Sequence, residues 1–253
     1  MFLFEPGRTQ YDLNFRIFGV AVRIHPMFWL VTVIFGWNLQ DPRGGLKYVL
    51  LWVIVVFISI LIHELGHVFM GRFFGSDGHI VLYGFGGLAI GSNHLEKRWQ
   101  RIAVSFAGPL AEFVLLGVVL LVGYSIGIGT EAKVSKALQF LYNQLVWVNS
   151  FWALVNLLPI WPLDGGMISR ELFQSIMPES GTVSSLIASM LVAGTLVCFT
   201  IAAANGIEII PYLPGDTYLG LFFALFAINN FQEWQMVRHR SRNPWESDET
   251  ESW

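Results

Sequence analysis

His63, Glu64 and His67 lie in ILIHELGHVF, residues 60 to 69, where nearly every neighbour is apolar. On a helix, residues four apart share a face, so the two histidines present their imidazoles to one ion while Glu64 sits one position along. Neutral imidazoles suit zinc, and an adjacent glutamate can take a proton from a zinc-bound water as it attacks a carbonyl. The bland alternative is two core histidines and a buried salt bridge. Against it, ionisable groups at membrane depth cost roughly several kcal/mol without partners or a task.

A catalytic zinc commonly has three protein ligands and one open position. The candidates for the third, inside or beside apolar segments, are Glu112, Asp164, His25, His79 and His94. Asp164 stands in NLLPIWPLDGGMISREL, residues 156 to 172, where Pro159 and Pro162 cannot continue a helix and Gly165 and Gly166 let the backbone turn sharply. Irregular backbone at membrane depth persists only when buried in protein or lining a wet cavity. An aspartate delivered by such a break is a natural oxygen ligand; the alternative is that it caps the helix from Met167 to Met177. His25, just before Pro26, reads as part of a helix start, and His79 and His94, flanking a hairpin, as solvent-facing.

The elements that must carry these residues are membrane helices. Of 253 residues, 54% are hydrophobic and 13% charged, against about 25% charged in soluble domains. A span needs roughly 20 mostly apolar residues. Six stretches come close, near 25 to 40, 47 to 74, 101 to 128, 136 to 158, 183 to 205 and 217 to 234. Counting Lys and Arg on alternate sides gives eleven against four, which places both termini in the cytosol. His63 then lies about 22 Å along the second helix, and the fourth helix, running the same way, ends at Leu158 to Asp164. Both motifs reach the cytosolic third of the bilayer.

Outside the helices, residues 13 to 24 alternate as a strand that resumes after Gly19, and residues 79 to 91, HIVLYGFGGLAIG, read as a hairpin with glycines at its bend. The stripe Ile168, Leu172, Ile176 gives residues 166 to 178 an amphipathic, interfacial character. The expected organisation is a cytosolic N-terminal segment over 1–24, a six-helix domain over 25–234 with the hairpin at 79–91, and a disordered cytosolic tail over 235–253. The only cysteine, Cys198, excludes an intramolecular disulfide. The run before Glu5 and Pro6 is too short for a cleaved signal peptide.

HELGH at 63 to 67, FAGPLAEF at 106 to 113 and NLLPIWPLDGG at 156 to 166 together resemble the site-2 protease family of intramembrane zinc metalloproteases. GVAVRIHP at 19 to 26 and YGFGGLA at 83 to 89 match in character. The apolar stretches and strand patterns make the chain an α-helical integral membrane protein of about six transmembrane helices with a small β-sheet or hairpin on the cytosolic side, in keeping with the resemblance. The resemblance implies hydrolysis of a peptide bond in or near a transmembrane segment of a membrane protein substrate. It would make His63, His67 and Asp164 ligands of one Zn2+, Glu64 the general base, and Asn156 a group that holds substrate or the developing oxyanion. Asn156 has a plainer reading, satisfying the broken backbone near Pro159. Where the family's GPxxN pattern has asparagine this chain has Glu112, open to a neutral carboxyl, to pairing with Arg101 or a histidine, or to approaching the metal. Gly86 and Gly87 would let an unwound substrate pair with the hairpin edge, or the hairpin simply covers the cavity. The implied partners are the substrate and the lipid bilayer, with no nucleic acid. At this length there is no room for PDZ or CBS modules, which leaves regulation to partners, lipid or loops. The rival readings are a prenyl-protein or HtpX-like peptidase, disfavoured by the aspartate-glycine motif, and a zinc-binding scaffold or transporter without proteolytic activity, for which no internal repeat is found.

Overall fold

The computed structural model describes residues 5–38, 45–84, 86–128, 134–207 and 217–242. It divides into two compact units, Phe2–Asn156 and Leu157–Trp253.

In the first unit, β1 (Leu13–Ile17) and β2 (Val20–Ile24) form an antiparallel hairpin with Leu13 opposite Ile24 and Ile17 opposite Val20. Its two-residue turn, Phe18-Gly19, has positive φ at both positions, 48° and 76°, the hand that matches strand twist. Glycine takes this conformation freely; phenylalanine does not. The alternating stretch 13 to 24 is therefore two strands folded back at Gly19. The hairpin expected at 79 to 91 is present as β3 (His79–Tyr83) and β4 (Gly86–Ile90), with His79 opposite Ile90. The four strands form one sheet in the order β1-β2-β3-β4. Its central pair, β2 and β3, is parallel with Val22 opposite Ile80. Parallel neighbours need a long crossover, supplied by α1 (Pro26–Asn38) and α2 (Gly45–Phe73).

Strand alternation decides what the sheet buries. Val20, Val22, Ile24, Ile80 and Leu82 point to one face and form a core with Leu61, Leu65 and Val68 of α2 and Phe28 of α1. The sheet is thereby packed on the same turns of α2 that carry the histidines. Arg72, in the last turn of α2, donates from Nη2 to the Gly19 carbonyl at 2.9 Å. On another side α2 meets α3 (Arg98–Ser125), where a Cβ at Gly66 would overlap the Ala107 carbonyl. Such close backbone approach is how helices associate without a hydrophobic driving force. The α4 helix (Lys136–Asn156) is tied to α2 by Asn149, whose Nδ2 donates to Ser59 Oγ at 3.0 Å between two fully buried residues.

In the second unit, the helices are α5 (Asp164–Ile176), α6 (Gly181–Ala204) and α7 (Thr217–Arg242). Their core joins Ile160, Ala193 and Phe223. α5 is the amphipathic helix expected near 166 to 178, starting two residues earlier. Helix α7 runs on through 235–242, where the tail is expected to begin; residues 243–253 lie outside the described residues.

All six stretches read as spans contain helix. Among the described residues, three helices are long and apolar enough to cross a membrane: α2, α3 and α6. Their surfaces fit that solvent. Leu50, Ile54 and Ile58 on α2, Val114, Val118 and Leu121 on α3, and Leu191 on α6 are exposed, apolar stripes that would be a liability in water. The protein is a mostly helical membrane protein with a small four-stranded sheet.

Candidate metal centre

The two imidazoles are fixed by partners on α3. His67 Nδ1 lies 2.7 Å from the Val104 carbonyl oxygen. A carbonyl only accepts, so Nδ1 carries the proton and Nε2 is left with its lone pair. His63 Nδ1 lies 2.9 Å from Oε2 of Glu112, an acceptor of the same kind when ionised. Both Nε2 atoms then turn toward each other, 3.0 Å apart. Two lone pairs facing each other at that separation repel, and a shared cation reverses the sign. In a tetrahedral zinc site, nitrogens each ~2.0 Å from the metal lie about 3.3 Å apart, close to the separation found. Both rings are buried.

Space for an ion comes from α3 as well. A Cβ at Gly108 would overlap His67 Nε2 and come within 2.8 Å of His63 Nε2. Pro109, inside the helix, has no N–H to offer the Ser105 carbonyl, which follows the Val104 carbonyl that meets His67. The Gly-Pro pair in FAGPLAEF thus belongs to the site, a role that sequence reasoning missed. The signal available was a helix-breaking pair inside an otherwise apolar span.

Glu64, one residue beyond His63, is buried and lies against the sheet. A Cβ at Gly87 of β4 would overlap Glu64 Cγ and Oε1, so a side chain there would displace the carboxylate. Gly86 is also on β4, at the bend, with φ of 132° and open space around it. Tyr83 ends β3 opposite Gly86. Its phenol is pushed up to about 12, first by burial and then by the negative charge of Glu64, so it is a neutral hydroxyl at any physiological pH.

His63, Glu64, His67, Gly86, Gly87 and Glu112 are therefore gathered in the first unit, and Asn156 is its last residue, half-buried at the end of α4. Asp164 belongs to the second unit, where it is the first residue of α5 and is buried. The chain before it is folded tightly: a Cβ at Gly165 would overlap the Leu157 carbonyl, and one at Gly166 the Ile160 carbonyl. The Trp161 N–H donates to Ser189 Oγ at 3.0 Å, and Asn230 Nδ2 donates to the Trp161 carbonyl at 2.6 Å. These bonds satisfy the backbone that Pro159 and Pro162 break. Of the other candidate ligands, His25 Nδ1 accepts from the Met27 N–H at 3.2 Å, a helix-start contact.

This architecture is shared with known proteins. Residues 51–143 and 122–199 match the model of peptidase family M50, and the chain belongs to that family. Stage IV sporulation protein FB of Bacillus subtilis is 28% identical over 222 residues, 87% of this chain and 68% of that protein. Zinc metalloprotease MJ0392 of Methanocaldococcus jannaschii is 29% identical over 160 residues, 62% of this chain and 44% of that one. A Synechocystis sp. relative is 29% identical over 88% of this chain, which spans 60% of its length. Among solved structures, the site-2 protease from Methanocaldococcus jannaschii superposes with a TM-score of 0.55 at 22% identity, covering 88% of this chain and 95% of that one. The fold is that of a site-2 protease.

Proposed function

We propose that this chain is an intramembrane zinc endopeptidase that hydrolyses a peptide bond in or near a transmembrane segment of a membrane protein. The observation that carries this is the pair of buried imidazoles on α2, each held through Nδ1 with its Nε2 facing the other, beside the buried carboxylate of Glu64. His63, His67 and Asp164 would hold one Zn2+. Asp164 is supported as the third ligand by its chemistry, a buried carboxylate at the start of a helix that follows a proline break. Bound zinc would polarise the scissile carbonyl and acidify a water.

Glu64 takes up the proton released in that step and returns it to the leaving amine. Asn156 holds substrate or the developing oxyanion. A helical substrate hides its amides and must first unwind, which costs hydrogen bonds in an apolar medium. Strand β4, last in the sheet and in contact with Glu64 through Gly87, offers its edge to the unwound segment, with Gly86 and Gly87 permitting close approach. All six apolar stretches cross the bilayer, α1, α4 and α7 included, with both termini, the sheet and the zinc cavity on the cytosolic side of a cell membrane.

Zinc analysis and cleavage of a model transmembrane substrate by the wild type and Glu64→Gln test the reading. The variant keeps zinc and stops cutting. Normal cutting by Glu64→Gln would remove the assigned base, and an active wild type without zinc would remove the metal mechanism.

A further inference from the structure

Glu112 stands where the family's GPxxN pattern has asparagine, and it is the least expected charge in the molecule. It is fully buried, in the middle of α3, a helix apolar enough to cross a membrane. A carboxylate placed there without a cationic partner or a strong donor costs roughly several kcal/mol. What it meets is His63: Oε2 is 2.9 Å from Nδ1.

We infer that Glu112 is a positioning residue that fixes the metal-binding tautomer of His63 and strengthens the hold of that imidazole on zinc. The inference rests on the zinc reading above. An ionised carboxylate accepts from Nδ1–H, so Nε2 carries no proton and faces His67 Nε2 with its lone pair. Reversal of the tautomer would set a lone pair of Nδ1 against a carboxylate oxygen, so the wrong form is disfavoured electrostatically. A carboxylate behind a metal-ligating histidine also raises the basicity of the ring.

The contrast with His67 isolates what Glu112 adds. His67 is oriented by a neutral backbone carbonyl, that of Val104, which sets the tautomer but supplies no charge. An asparagine at 112 would be one methylene shorter and neutral. This chain therefore orients its two imidazoles by unlike means, and the charged arm belongs to His63.

The test is an equilibrium zinc titration of the detergent-solubilised full chain, stripped of metal and competed with a chromogenic chelator. Wild type, Glu112→Gln, Glu112→Ala and His63→Ala are compared, with thermal midpoints of the metal-free forms recorded alongside. Removing the partner of a ligating histidine weakens metal binding about 10- to 100-fold. Glu112→Gln keeps the shape and one acceptor, so it sits near the lower figure, and Glu112→Ala near the upper, while the metal-free midpoint of Glu112→Gln is unchanged. Wild-type zinc affinity in Glu112→Gln overturns the inference, whether or not Glu112→Ala folds. If His63→Ala binds zinc as the wild type does, the zinc reading itself fails; loss there with retention in Glu112→Gln sinks only the role given to Glu112.

Discussion

Gly87 on β4 and Glu64 on α2 touch so closely that a Cβ at Gly87 would overlap Glu64 Cγ and Oε1 and displace the carboxylate. The contact joins the outer strand of the sheet to the group assigned as the proton acceptor. The sheet core and the histidine-bearing turns of α2 are one packed cluster, with Ala89 of β4 packed against it.

Gly87→Ala would push on Glu64 Cγ and Oε1. Cleavage of a model substrate is expected to fall more than about tenfold, in line with the sensitivity of catalysis to small misplacements, with zinc content unchanged. Gly117→Ala, where nothing lies within 4 Å of the added methyl, is the matched control and cuts normally. Equal activity in the two variants would separate β4 from the chemistry.

Gly108→Ala attacks the ion rather than the base. The new methyl would occupy the space beside both Nε2 atoms, so zinc stoichiometry by elemental analysis drops well below one per chain. Full zinc occupancy would show that the ion does not sit between the imidazoles.

The proline break depends on Asn230, which spans from α7 to the Trp161 carbonyl. Asn230→Leu leaves that carbonyl without its side-chain donor, at a cost of about 1–3 kcal/mol. Both the thermal midpoint and zinc affinity should fall, because Asp164 follows three residues later. A lower midpoint with unaltered zinc affinity would argue against Asp164 as a ligand.

A pH effect belongs to the N-terminal hairpin. The hydrogen bond from Thr9 Oγ1, and after it the Arg23 guanidinium, hold the Asp12 carboxyl at about 2, below its ordinary 3.8. A lowered folded-state value means that stabilisation is complete above the unfolded value and is lost as pH falls toward 2. The midpoint difference between wild type and Asp12→Asn should be constant from pH 5 to 8 and shrink below about pH 4. A difference that persists unchanged to pH 2 would place the effect elsewhere.

The local parts of this molecule were legible in its sequence because each rests on a local rule. Helical spacing puts His63 and His67 on one face, alternation marks β1 to β4, and Pro159, Pro162 and the glycine pair announce the break before Asp164. Long-range pairings were not. Nothing in residues 20 to 24 or 79 to 83 states that β2 and β3 run parallel, since that register is set by their shared packing on α2. Glu112 could be seen as an anomaly, yet the histidine it meets is 49 positions away, and only the phase between α2 and α3 brings the two together; Arg101 lies about 16 Å back along the same helix. Arg101 instead donates to the Leu95 and Glu96 carbonyls. Gly108 went unread for the same reason: its use as a cradle appears only when the facing helix is in place.

Zinc K-edge X-ray absorption on the purified protein tests the central claim most directly. Two imidazole nitrogens at about 2.0–2.1 Å, with the remaining scatterers oxygen at about 2.0–2.2 Å, are expected, and one imidazole should disappear in His67→Ala. A first shell containing sulfur, or a spectrum identical in the wild type and His67→Ala, would contradict it.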